Sequence, residues 1–118
     1  MGYQVFSRDV TIANGSSTSG VIPINGLMLV GVATPSSITG ARLGIQVRAN
    51  GSDTFRTLRN TGGVVYTSIA GNVVAVFPPD ITRLLADFES IRLVTMDSSN
   101  AAANQTSDVT IRVFLSPI

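Results

Sequence analysis

The chain contains no cysteine, no histidine, no tryptophan and no lysine. Without cysteine there is no disulfide staple. Losing histidine as well removes the Ser-His-Asp and Cys-His nucleophiles, the usual zinc and copper sites, and an imidazole base near neutral pH. Without lysine there is neither a P-loop lysine nor a Schiff-base enzyme. All eight basic residues are arginine, at positions 8, 42, 48, 56, 59, 83, 92 and 112. Glu89 is the one glutamate beside six aspartates, so a carboxylate pair is the general acid/base device that remains. The composition therefore argues against an enzyme, and with it against a cofactor or a small-molecule substrate.

Charge is scarce too, at 13% of residues and a net +1. That leaves no broad basic footprint for nucleic acid and no polybasic patch for a membrane surface. The longest apolar run, Leu27 to Ala33, falls far short of the roughly 20 residues that a membrane-spanning helix needs. Residues 1–7 carry no basic segment followed by an apolar one, so no secretory signal is expected, and Phe6 stands where a myristoylation pattern wants Ser or Thr. Aromatics number seven and none is tryptophan, which weakens, without excluding, a lectin or a single-strand nucleic-acid binder that stacks its ligand on exposed rings.

What is present is a 118-residue chain, 44% hydrophobic, enough for one compact domain that buries roughly two-thirds of its unfolded surface. Its pattern is short alternating stretches separated by Gly, Asn, Ser and Pro clusters, the mark of an all-β fold. Leu43, Ile45 and Val47 alternate with Arg42, Gly44, Gln46 and Arg48. Val109, Ile111, Val113 and Leu115 do the same with Thr110, Arg112 and Phe114, and Ile91, Leu93 and Thr95 with Arg92 and Val94. Further strands are expected over residues 10–13, 21–24, 27–33, 55–58, 64–68 and 72–77. The segments Asn50-Gly51-Ser52-Asp53 and Asn60-Thr61-Gly62-Gly63 are expected to turn two hairpins through positive φ, making residues 42–77 a meander. Ile81, Leu84, Leu85 and Phe88 have helical spacing after Pro78-Pro79, which predicts one short helical turn near residues 80–88, with Asp80 as N-cap, plugging one end of the core.

These readings define a single-domain antiparallel β-sandwich, jelly-roll-like, over residues 9–118, with an immunoglobulin-like strand order as the alternative. Residues 1–8 are either an N-terminal arm or the first strand. Three sequons, at Asn14, Asn50 and Asn104, are read as turn chemistry without a glycan.

Candidate sites follow by elimination. Asp80, Asp87 and Glu89 cluster in sequence but are read as a helix cap and solvated acids. Asp53, Asp97 and Asp108 lack a calcium-loop pattern and are read as ordinary loop acids. The expected partner interface comprises Arg42, Arg48, Arg56 and Arg59, brought by hairpin pairing onto one face that forks onto carboxylates, together with the apolar Tyr3, Val5 and Phe6. Asn100, Asn104 and Gln105, in the long polar loop 97–107, complete it.

Two stretches carry a resemblance. Leu29-Val30-Gly31-Val32-Ala33-Thr34-Pro35, followed by Thr39-Gly40-Ala41-Arg42-Leu43-Gly44-Ile45-Gln46-Val47, resembles a turn-and-strand pattern of small structural proteins of tailed bacteriophages. Phe88 to Val94, Asn104-Gln105 and the closing strand Val109 to Leu115 are similar to the C-terminal half of the same group. The likeness covers about residues 27–115 and includes no catalytic motif; Ile38 stands where an aromatic is common. It implies a head-decoration, or cement, protein of the virion that binds the outer surface of the major capsid protein as a dimer or trimer and resists the pressure of packaged DNA. The alternative is a tail or surface module that binds a receptor or carbohydrate.

Overall fold

The computed structural model describes residues 5–117. Eleven strands and one helix follow one another as β1 (Phe6–Ile12), β2 (Ile22–Pro23), β3 (Leu27–Ala33), β4 (Arg42–Arg48), β5 (Arg56–Thr57), β6 (Arg59–Asn60), β7 (Gly63–Val64), β8 (Tyr66–Ser68), β9 (Val74–Val76), α1 (Pro79–Leu85), β10 (Ser90–Met96) and β11 (Val109–Pro117). One sheet has the order β1-β11-β3-β9. The other has β2-β10-β4-β5, with β8 also on β4. All pairings within both sheets are antiparallel.

The strands β5 and β8 are two pieces of one edge strand. Gln46 pairs with Thr57 and Leu58 donates to the Ile45 carbonyl, after which Gly44 pairs with Tyr66. Residues 59–65 are thus an insertion, closed at its base by the Val65 N–H on the Leu58 carbonyl and folded into the small hairpin β6-β7. Counting β5 and β8 as one, the sheets contain the first, eighth, third and sixth strands and the second, seventh, fourth and fifth, which is jelly-roll order. This order rules out the immunoglobulin-like alternative.

The alternation read from the sequence is what fills the core. Ile12, Leu29, Val32, Ile111, Val113 and Leu115 of the first sheet meet Ile22, Leu43, Ile45, Ile91 and Leu93 of the second, each almost fully buried. Leu29 and Val32 are three apart, which strict alternation would place on opposite faces. A bulge opposite Phe114 and Leu115 absorbs the extra residue and turns both inward. The helix α1 packs against β3 and drives Ile81 and Leu85 into the same core, while Leu84 stays outside. It is the plug the spacing predicts, but it ends at Leu85 and starts one residue earlier. Pro79 stands in the first turn, where a missing N–H costs nothing, so the N-cap position falls on Pro78 and not on Asp80, and no side chain caps the helix.

Two other expectations are corrected, and one open alternative is decided. The chain from 42 to 77 is not a continuous meander: after β8 it crosses to the first sheet, where β9 pairs with β3. A turn at Asn72, φ 62°, makes the crossing, and Thr34 pins it by accepting from the Val73 N–H and donating to the Ala70 carbonyl. The Asn50 to Asp53 segment needs no positive φ, since the connection between β4 and β5 is longer than a two-residue turn. Asn50 instead accepts from the Ser52 N–H and its hydroxyl. Gly63, φ 115°, does supply the left-handed position expected of the second hairpin. Last, Phe6, Ser7 and Arg8 belong to β1 and pair with Leu115, Phe114 and Val113, so these residues are first strand and not arm.

Candidate partner-binding face

The two sheets present chemically different outer faces. On the second sheet, the positions between the core residues of β4 and β10 are Arg42, Gly44, Gln46 and Arg48, and Ser90, Arg92, Val94 and Met96. Their registers place Arg92 opposite Gln46, Val94 opposite Gly44 and Met96 opposite Arg42. A Cβ on Gly44 would stand 2.8 Å from the Met96 methyl and 3.1 Å from Val94, so a larger residue there would displace both side chains. Over this bare backbone Val94 and Met96 lie buried on the outside of the sandwich, at 6% and 4% exposure, flanked by the β6-β7 hairpin and the loop after β10. Between those flaps runs an open groove of about 260 Å³ lined by Gln46, Thr57, Arg59, Val64, Met96 and Asn100, among others.

Arginines are held around the groove by aromatic rings. The Phe55 ring is shared by two guanidinium groups, Arg48 at 4.7 Å and Arg92 at 4.6 Å from its centroid, and Arg42 lies 4.1 Å from that of Tyr66. Stacking fixes a guanidinium by its flat face and leaves its edge N–H groups for hydrogen bonding. Some of those are used. Arg42 donates to the Asn100 side chain at 2.9 Å, Arg92 to Gln46, and Arg48 to Glu89 at 3.3 Å. Among the described residues no carboxylate lies within ion-pair distance of Arg42, Arg59 or Arg92, so the face keeps three uncompensated cations. Replacing Phe55 with alanine is expected to lower stability by about 1 kcal/mol, the worth of two exposed cation–π contacts, in a denaturant titration.

The predicted interface residues divide. Arg42, Arg48 and Arg59 gather on this face or at its groove. Arg56 does not: it pairs across the ladder with Val47, an inward position, and its guanidinium turns along the sheet edge to Asp53 at 3.2 Å. A two-residue period sends neighbours on one strand to opposite faces, so one hairpin register cannot bring all four arginines together. Asn100 is on the face, in a left-handed turn at φ 65°, and Asn104 is exposed in the same loop. Gln105 is removed from any interface. It is 2% exposed, and its amide accepts from the Thr39 N–H and donates to the Thr39 carbonyl and the Thr95 hydroxyl. Val5 and Phe6 are exposed at the start of β1, in the first sheet, whereas the arginine face is on the second, and Tyr3 lies outside the described residues. Phe55, Tyr66 and Arg92 were not singled out from the sequence; the signal for Arg92 was its place on the polar side of an alternating strand.

Most of the carboxylates brace structure. Glu89 holds Arg48 and the Ser90 hydroxyl, and Asp80 lies in the first turn of α1. Asp97 accepts from the Ser99 and Ala101 N–H groups, Asp108 from the Asn14 N–H, and Asp53 from the Thr54 N–H.

The fold and this face define an all-β jelly-roll sandwich with an arginine-aromatic outer surface. No family model and no curated protein matches the chain. Among solved structures it is similar to the SPBc2 prophage-derived protein YomS, over 98% of this chain and 96% of that one, with a TM-score of 0.52 and 11% sequence identity. That likeness establishes a shared architecture.

Proposed function

We propose that the chain is a bacteriophage structural protein, a decoration or cement protein that binds the outer surface of the major capsid shell and acts by attachment, without turnover. The observation that carries this reading is the outer face of the second sheet, where the ring-stacked Arg42 and Arg92, and Arg59 at the groove, have no carboxylate partner among the described residues. Such a face fits an acidic protein surface, because a guanidinium fork already ordered by a ring loses little freedom on pairing with a carboxylate. The prophage origin of the structural neighbour supports the setting. Many copies, each linked to a shell, would multiply modest individual affinities.

Imaging a tagged copy on the parent particle tests the location. Copies on the head in numbers set by icosahedral symmetry are expected; copies at the tail alone would replace this reading with the receptor-binding one. The double variant Arg42→Glu/Arg59→Glu should weaken attachment to shells by roughly 100-fold, since reversing charges at an interface both removes pairs and adds repulsion. Its thermal unfolding should stay close to that of the original chain. Equal attachment by that variant would remove the arginine face from the interface.

A further inference from the structure

The sandwich has four strand edges, and three of them carry devices that discourage pairing. The first, β1, has Arg8 and Asp9; the short β2 has Pro23; the broken strand has Arg56 and the inserted hairpin. The fourth, β9, is Val74-Ala75-Val76, with no charge, no proline and no bulge, in a stretch from Asn60 to Pro79 that contains no charged residue. Val74 and Val76 are 69% and 66% exposed.

The backbone of β9 is directed outward in alternation. Val73 donates to the Thr34 hydroxyl and accepts from the Thr34 N–H, so its polar groups face β3. One residue on, the alternation of an antiparallel ladder turns the N–H and C=O of Val74 to the free edge, and those of Val76 with them. The Thr67 hydroxyl reaches the Val76 carbonyl at 3.2 Å from that side and leaves its second lone pair open.

We infer that β9 pairs antiparallel with β9 of a second copy, about a two-fold axis at Ala75. The strand reads the same in both directions, so each Val74 meets a Val76 and alanine meets alanine, with no like charges opposed. Each Val74–Val76 couple exchanges both backbone hydrogen bonds. The first sheet then continues through the axis as β1-β11-β3-β9-β9-β3-β11-β1. On its outer face the rows Phe114, Gly31, Val76 and Arg112, Ala33, Val74 run into their symmetry mates. Small residues at 31 and 33 leave the valines proud of the sheet, where they pack across the junction. A self-complementary two-fold contact closes on itself, so association stops at the dimer. This pairing does not depend on the shell-binding reading: it uses the other sheet.

Sedimentation velocity of the full chain over a concentration series tests it, beside two double variants, Val74→Lys/Val76→Lys and Val74→Glu/Val76→Glu. The original chain should sediment at twice its own mass. Each variant should be monomeric with an unchanged circular dichroism spectrum, and their equal mixture should regain the doubled mass, because the pairing sets Lys against Glu. A monomeric original chain, dimers in both variants, or a mixture that stays monomeric would each overturn the inference. If a double variant loses its sheet spectrum, the single Val74→Lys repeats the test, and an undiminished dimer there counts against it.

Discussion

Replacing Gln105 with alanine should lower the unfolding free energy by about 3 kcal/mol, a large loss for a residue in a loop. Three side-chain hydrogen bonds disappear, each worth about 1 kcal/mol net, and the Thr39 N–H is left without its acceptor in a closed site. The effect spreads because Gln105 joins three segments. Its backbone also accepts from the Gly15 N–H and donates to the Ser16 carbonyl, while the Thr95 hydroxyl it touches donates to Ala103. The side chain therefore ties the β3-β4 connection to β10 and to the loop before β11. Urea unfolding followed by circular dichroism would measure the change. Gln105→Glu should be destabilising as well, since a carboxylate cannot donate to the Thr39 carbonyl. A loss below about 0.5 kcal/mol in the alanine variant would mean that the clamp contributes little.

Gly31→Val should cost about as much, near 3 kcal/mol, for the opposite reason. A Cβ at residue 31 would stand 2.7 Å from the Ala75 carbonyl and 3.3 Å from a Val76 methyl, and the first of these neighbours is backbone. Overpacking of this kind is relieved only by moving β9 off β3. The variant is thus expected to lose both stability and the self-association assigned to β9, whereas Val74→Lys should lose association alone. Unfolding and sedimentation measured on the same samples separate the two. Retention of full stability by Gly31→Val would show that β9 shifts freely.

How far the sequence could be read differs between core and surface. The core was legible because burial acts on each strand separately: Leu43, Ile45 and Val47 announce an inward face by alternation alone, and so do Val109 through Leu115. The candidate face was legible in half. Arg42 and Arg48 share a strand and a parity, so they were placed together correctly, but Arg56 required the register across β4 and β5, which no local pattern contains. Gln105 misled because a polar residue in a long loop is usually solvated. Here the loop folds back on β10 and closes over it.

The amino-acid sequence by itself determined the class of fold, the inward residues, the helical plug and the want of histidine, cysteine and lysine, since these depend on composition and on neighbours a few positions apart. Only the tertiary structure decided the jelly-roll order, the insertion that splits the edge strand beside β4, the rings beneath the arginines, and the one edge left unguarded. Each of these pairs residues distant along the chain, and such pairings are selected by the packing of the whole sandwich.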